Sequence, residues 1–195
     1  MDDPAGFRAV DAAAGDYFVR FLDARAEVPA ELVVKGAIAG LLDVQVGMAV
    51  LDVGSGTGDD LIGIAALVGE GGRAVGVDVS TAMVTEARRR TAEAGVPAEF
   101  VVGDATRLEF ADAGFDRLRA ERVLMAMADP ETAVREMVRV TRPGGWSCCP
   151  RWMRGRSSST ALTASWCWRS NRDSRRTWRR RMPGGACSGC WLRLG

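Results

Sequence analysis

The 195-residue sequence contains no histidine, one tyrosine and no apolar run approaching the ~18 residues that a membrane-spanning helix needs. The missing histidine excludes a histidine general base and most zinc sites. The first residues, Met1-Asp2-Asp3-Pro4, are acidic and lack the basic and then apolar pattern of a secretory signal. With 47% apolar and 26% charged residues, the chain is predicted to be a globular, cytoplasmic protein without a transmembrane segment.

Charge and residue types are distributed unevenly along the chain. Residues 1–145 carry 15 basic and 24 acidic side chains, whereas residues 146–195 carry 11 arginines and a single acid, Asp173. All six tryptophans and all five cysteines lie in that last segment. Because the composition changes abruptly near residue 145, the two segments need separate interpretations.

Residues 1–145 alternate between strand and helix patterns. Strands are predicted at 48–51, 73–77, 98–102 and 115–120, and a fifth after the turn Pro143-Gly144-Gly145. Helices are predicted at 11–27, 29–42, 59–68, 81–94 and 130–141, with Ser80 or Thr81 capping the fourth. This alternation indicates an α/β fold, with a Rossmann-like, doubly wound and mostly parallel sheet.

The first three predicted strands end in acids, namely Asp52, Asp78 and Asp104, and a glycine-rich loop at 54–58 follows the first of them. Ligands of open parallel sheets bind at the carboxyl ends of the strands. A glycine loop lets the backbone approach a ligand closely, and an acid about 20 residues later is well placed to bind the two hydroxyls of a ribose. These residues predict a site for a nucleoside-containing cofactor.

The spacing of the glycines narrows the choice of cofactor. A dinucleotide fingerprint needs its third glycine at position 59, where this chain has Asp59, and the pair Asp59-Asp60 would repel a pyrophosphate. A loop ending in Gly-Lys-Ser/Thr is absent from the sequence, which argues against a nucleoside triphosphate. Neither NAD nor ATP is therefore the predicted cofactor.

Five short segments follow one another in a recognisable order: Leu51-Asp52-Val53-Gly54-Ser55-Gly56-Thr57-Gly58, Val75-Gly76-Val77-Asp78-Val79-Ser80, Val102-Gly103-Asp104-Ala105, Phe115-Asp116 and Arg139-Val140-Thr141-Arg142-Pro143-Gly144-Gly145. They resemble the motifs of class I S-adenosylmethionine-dependent methyltransferases. The resemblance runs from about residue 30 to residue 145. It is closest to the small-molecule branch that includes quinone-biosynthesis and natural-product enzymes.

The resemblance implies that S-adenosylmethionine is the cofactor and assigns its methionine part to the first motif. Four residues of the loop would border that part through their backbone: Gly54, Ser55, Gly56 and Gly58. Asp52 would support the amino group of the cofactor. Three residues at the end of the fourth strand would close the site under the sulfonium: Arg119, Ala120 and Glu121.

The other motifs would hold the nucleoside part. Asp78 would bind the ribose hydroxyls and Val79 would flank the adenine, while Asp104 and Ala105 would contact the amino edge of that base. No catalytic residue and no metal ligand is predicted. A general base is not required, because the cofactor supplies the activated methyl group and the protein mainly aligns donor and acceptor.

Residues 146–195 do not continue the family pattern. Cys187-Ser188-Gly189-Cys190 lacks a second pair of metal ligands at a matching spacing, and the arginine-rich stretch carries no nucleic-acid-binding signature. In the shifted reading frame, the codons of Cys148 and Cys149 must encode leucine, and those of Trp146 and Ser147 can encode valine. Because this restores an apolar strand, we hypothesise that the tail is out of frame, which resequencing of the codons for 144–149 and an intact mass would test.

These patterns divide the chain into three predicted segments. N-terminal helices on the lid or substrate side would occupy 1–46, the cofactor-binding core 47–145, and a poorly ordered tail 146–195, with the sheet truncated or scrambled after its fifth strand. The predicted activity is methyl transfer from S-adenosylmethionine to a small molecule, with no nucleic acid or membrane as partner. The alternative is a non-catalytic protein that binds the cofactor, or binds nucleic acid through its basic tail.

Overall fold

A computed structural model describes the backbone of residues 11, 15–151, 164–169, 178–182 and 185–186, and the side chains of residues 11 and 17–145. Its helices are α1 (Gly15–Ala26), α2 (Pro29–Leu42), α3 (Asp59–Val68), α4 (Thr81–Ala94) and α5 (Pro130–Val140). Its strands are β1 (Ala49–Val53), β2 (Arg73–Asp78), β3 (Ala98–Val102), β4 (Phe115–Arg119), β5 (Thr141–Arg151), β6 (Ala164–Arg169), β7 (Trp178–Met182) and β8 (Gly185–Ala186).

The strands form one sheet in the order β3-β2-β1-β4-β5-β6-β7-β8. The first five in that order pair in parallel, which confirms the predicted Rossmann-like, doubly wound sheet. After β1 the chain builds outward through β2 and β3, and it then returns to the other side of β1 with β4. This reversal of strand order is the switch point beside which open α/β sheets bind their ligands.

Apolar side chains cover both faces of the sheet because the strands alternate their side chains between two helical layers. One layer packs α5 against Leu51, Val53 and Leu118, and the other packs α2, α3 and α4 against Val50 and Phe100. Burying a side chain of this size stabilises the fold by about 1.5–3 kcal/mol. The core is therefore continuous across the sheet and holds the strand ends in fixed positions.

The boundaries of the first and fifth strands differ from those predicted. The first strand pairs with β2 through Val53 and with β4 through Asp52, so that Asp52 lies within the strand rather than after it. The fifth strand begins at Thr141, and the predicted Pro143-Gly144-Gly145 turn lies inside it. The register against β4 shifts there, since Thr141 lies opposite Phe115 but Trp146 opposite Arg117, and Gly144 takes up the bulge with a φ of +86°.

Beyond β5 the pairing changes from parallel to antiparallel, because β6, β7 and β8 each run opposite to the preceding strand. Cys187 and Cys190 lie outside the described residues, and the out-of-frame origin of the tail stays a prediction. In the described part of the chain, no group of acids, cysteines or histidines could hold a metal ion. None of the helices that the structure describes combines the length and apolar composition needed to cross a membrane.

Candidate functional site

A cavity of about 590 Å³ opens at the carboxyl ends of the first four strands. Most of the residues expected to bind the cofactor line it: Gly54, Ser55, Gly56, Asp78, Val79, Asp104, Ala105 and Glu121. Asp52 and Gly58 lie behind this lining. The wall opposite the strands is formed by α1, by the start of α2 and by the segment after β4. The sequence motifs therefore converge on one cavity at the switch point.

Two glycines of the loop are required by close packing. Gly54 has a φ of +71°, and a Cβ there would come within 2.6 Å of the side chain of Val123. Gly58 has a φ of +83°, and its Cβ would meet the ring of Phe100 at 2.6 Å. Both the left-handed backbone and the missing side chain are therefore needed. This gives Gly58 a packing role as the N-cap residue directly before α3.

Asp78 stands at the end of β2 and fixes the glycine loop. Its Oδ2 accepts a hydrogen bond from the amide of Gly56 at 2.9 Å, and its Oδ1 accepts one from the amide of Ser80 at 2.9 Å. Burial raises the pKa of Asp78, although these amides oppose the shift. A carboxylate offers about four lone-pair positions, so Asp78 is oriented by these amides and can still accept a hydrogen bond from a ligand.

The floor of the cavity is a buried cluster around the guanidinium of Arg119, whose side chain is 7% exposed. Arg119 donates to Asp52 Oδ2 at 2.8 Å, to Asp60 Oδ2 at 2.6 Å and to Glu121 Oε2. Lys35 adds a second cation at 3.0 Å from Asp60 Oδ1. Three acids thus share one buried arginine, and Lys35 adds a partner for only one of them.

Two carboxylate oxygens of this cluster, Asp52 Oδ1 and Glu121 Oε1, are buried without a hydrogen-bond partner among the described residues. An unpaired buried acceptor costs about 1–3 kcal/mol, and more when it is charged. A ligand that carries a positive charge or an N–H group relieves that cost. The cluster therefore fits a cationic ligand bound beside the glycine loop.

Asp52 should make stability depend on pH. Burial raises its pKa to about 7 in the folded protein against 3.8 when exposed, despite the opposing charge of Arg119. Between these values the folded state binds a proton that the unfolded state does not, so the free energy of unfolding should fall as pH rises from 4 to 7. Urea unfolding at pH 5 and pH 8 measures this dependence. Asp52→Asn should weaken it, whereas Glu70→Gln, at an exposed position, should leave it unchanged.

The N-terminal helices are held over the cavity by contacts with the core. Leu22 of α1 lies over the loop, with its Cδ1 at 3.3 Å from the position of a Cβ on Gly56. Asp23 of the same helix pairs with Arg90 of α4 at 2.8 Å. Before α1, Asp11 accepts hydrogen bonds from the first amides of α4. These contacts agree with the prediction of a lid side for residues 1–46, which stays a prediction.

The cavity wall also contains charged residues that the sequence motifs do not assign to the cofactor site, among them Glu31, Lys35, Asp60 and Arg122. Glu31 lies in the first turn of α2 and accepts hydrogen bonds from both Arg25 of α1 and Arg122 after β4. The sequence contains one local hint of these wall residues, the adjacent carboxylates Asp59 and Asp60. By themselves they indicate only that a pyrophosphate would be repelled. Single charges on amphipathic helices have the same pattern whether they face solvent or a cavity.

Comparisons with known proteins agree with this geometry. Residues 50–145 match the family model described as a methyltransferase domain. The demethylmenaquinone methyltransferase of Beutenbergia cavernae is 42% identical over 99 residues, which are 51% of this chain and 38% of that protein. The chain spans only 36–42% of the length of four of the proteins that it matches, three of them quinone-biosynthesis methyltransferases.

Two solved structures share the fold. A SAM dependent methyltransferase from Aquifex aeolicus superposes with a TM-score of 0.62 over 82% of this chain and 78% of its own, at 20% identity. The 4+2 cyclase SpnF gives a TM-score of 0.59 at 28% identity, over 65% of this chain and 47% of its own. These two structures show a shared fold, and the sequence matches to a methyltransferase domain and to methyltransferase relatives do not favour the alternative of a non-catalytic binding protein.

Proposed function

Because residues 50–145 form a domain of the class I S-adenosylmethionine-dependent methyltransferase family, we propose that the protein transfers a methyl group from this cofactor to a small-molecule acceptor. The observation that carries the proposal is the pair of unpartnered carboxylate oxygens, Asp52 Oδ1 and Glu121 Oε1, in the floor of the cavity. The cofactor carries a sulfonium and an ammonium group, and both suit such acceptors.

The residues around the cavity fit the remaining parts of the cofactor. Asp78, which is already oriented by two amides, would accept hydrogen bonds from the ribose hydroxyls. Gly54, Ser55 and Gly56 would border the methionine part through their backbone, as the glycine loop lines the cavity. Three further lining residues would contact the adenine: Val79, Asp104 and Ala105.

The chemistry of the reaction comes from the cofactor, whose sulfonium supplies an activated methyl group. The chain's part is to orient the two reactants and to exclude water, and orientation alone can supply about 7–11 kcal/mol of a reaction barrier. Apolar side chains from α1 and from the segment after β4 line the acceptor side: Phe21, Leu22, Val123 and Met127. Such a wall suits an acceptor with an apolar body.

The relatives support one class of acceptor. Several are quinone-biosynthesis methyltransferases, among them the demethylmenaquinone methyltransferase of Beutenbergia cavernae. Together with the apolar wall, this supports a small aromatic acceptor such as a phenol or quinol, with amines as the comparison class.

Calorimetry on the full chain tests cofactor binding. S-adenosylmethionine should bind in the micromolar range, corresponding to about −8 kcal/mol. NADH should bind far more weakly, because Asp59-Asp60 stand where a pyrophosphate would lie. Comparable binding of the two would contradict the assignment.

Methyl transfer is tested on a panel of phenols, quinols and amines, with the chain as it stands and with its reading frame restored at about Gly145. We expect the restored chain to turn over at least one acceptor. The chain as it stands is expected to bind the cofactor without transferring its methyl group, because eleven arginines replace the apolar segment that would complete the pocket. Transfer at a normal enzymatic rate by the unaltered chain would refute the out-of-frame hypothesis.

A further inference from the structure

We propose that Glu31 is a positioning residue that holds Arg122 away from Glu121, and thereby keeps one oxygen of Glu121 available for the positive charge of the cofactor. The inference rests on the proposed function and adds a residue from outside the strand-end motifs to the site.

Glu31 is placed to hold two arginines at once. It lies in the first turn of α2 and is only 7% exposed. Its Oε1 accepts a hydrogen bond from Arg25, and its Oε2 accepts one from Arg122. Burial opposes the ionisation of Glu31, but the hydrogen bonds from Arg122 and Arg25 outweigh it and lower the pKa of this carboxyl. Glu31 is therefore a carboxylate at neutral pH.

Arg122 has a second carboxylate within reach. Its Nη2 lies 3.6 Å from Glu121 Oε1, which is close enough for attraction and too long for a hydrogen bond. The other oxygen of Glu121 is occupied by Arg119. Glu121 Oε1 is therefore left buried and without a hydrogen bond among the described residues.

Contacts fix the backbone on either side of Arg122, so Arg122 can change its hydrogen-bond partner only by a movement of its side chain. Arg122 has a φ of +60°, and the next residue, Val123, packs directly against the glycine loop at Gly54. Glu121 is tied on the other side by Arg119. The guanidinium of Arg122 stands between two carboxylates, and the charge of Glu31 decides which of them it binds.

Removing that charge should release Arg122 toward Glu121. In Glu31→Gln the neutral amide binds a guanidinium less strongly than the carboxylate does, and Glu121 Oε1 becomes the better partner. The arginine would then occupy the acceptor that the cofactor needs, and would add a positive charge beside the sulfonium. Binding of the cofactor should weaken although Glu31 does not touch it.

The test is calorimetry of S-adenosylmethionine binding to the full chain and to four variants. Glu31→Gln should weaken binding about tenfold, since it costs one charge-assisted hydrogen bond to the cofactor. Glu27→Gln removes the same charge four residues earlier from an exposed position and should change nothing. Arg122→Gln removes the competing cation, and the double variant Glu31→Gln/Arg122→Gln should bind within about twofold of Arg122→Gln, because no competitor remains.

The double variant separates this role from a purely structural one. If Glu31 only fastens α2, the double variant will bind as weakly as Glu31→Gln, and the proposal is wrong. It is equally wrong if Glu31→Gln binds like the parent chain. Failure of the parent chain to bind the cofactor would instead overturn the proposed function.

A second measurement does not depend on the cofactor. A double-mutant cycle on unfolding free energy, with Arg122→Gln and Glu121→Gln, gives the coupling between these two side chains. The coupling should be stronger in the Glu31→Gln background than in the parent chain. Equal coupling in both backgrounds would contradict the proposal.

Discussion

Replacing Arg119 with methionine is expected to destabilise the folded protein by about 3–5 kcal/mol, the range seen when one partner of a buried ion pair is removed. Methionine keeps much of the volume but leaves Asp52, Asp60 and Glu121 without the guanidinium that they share. Because Lys35 still pairs with Asp60, the loss of folding free energy comes mainly from Asp52 and Glu121. Urea unfolding at pH 8 measures the loss.

The pH dependence identifies the cause of this loss. Because the pKa of Asp52 is raised to about 7, its carboxyl is largely protonated at pH 5 and needs a counter-charge less. The destabilisation by Arg119→Met should therefore be smaller at pH 5 than at pH 8. Arg107→Met, at an exposed position, serves as the control and should have little effect at either pH. An equal loss at both pH values would point to packing rather than charge.

Replacing Asp78 with alanine is expected to weaken S-adenosylmethionine binding by about 1.5–3 kcal/mol, because charge-assisted hydrogen bonds to the ribose are lost. The same change deprives the amides of Gly56 and Ser80 of their acceptor, so the glycine loop also loses its tie to β2. Calorimetry on the full chain gives the affinity, and urea unfolding shows how far the fold itself is weakened.

Two further variants serve as comparisons for Asp78→Ala. Asp78→Asn keeps an oxygen acceptor without the charge, and should lie between the parent chain and Asp78→Ala. Glu109→Ala removes an exposed acid and should bind the cofactor like the parent chain. If Asp78→Ala binds the cofactor as tightly as the parent chain does, Asp78 is not the ribose ligand.

The parallel core could be predicted from the sequence because its signals are local. Short apolar segments such as 49–53 are bounded by glycines, and α3, α4 and α5 each lie between two strands. The fifth strand was placed too late because Pro143-Gly144-Gly145 has the composition of a turn. A neighbouring strand converted that turn into a bulge, and a register shift of this kind depends on β4 rather than on the tripeptide itself.

The residues of the candidate site also fall into two groups, those that could be identified from the sequence and those that could not. Asp78 and Asp104 could be identified because their place at or just after a strand end is set by the nearest strand, and Asp52 because it lies one residue before the end of β1. Glu31 and Arg122 could not, because they are 91 residues apart and meet only when α2 packs beside the end of β4. Nothing in the residues adjacent to Glu31 distinguishes it from Glu27, which is exposed.

The position of β1 between β2 and β4 has a consequence for the order of folding during synthesis. The ribosome completes β1, β2 and β3 first, and these strands are neighbours that can pair as they emerge. Asp52 meets Arg119 only after a further 67 residues, so the free side of the central strand stays an open edge until β4 is made. Open edges pair readily with other chains. The nascent chain is therefore most exposed to misassembly between completion of β3 and the arrival of β4, when its centre has a strand partner on one side only.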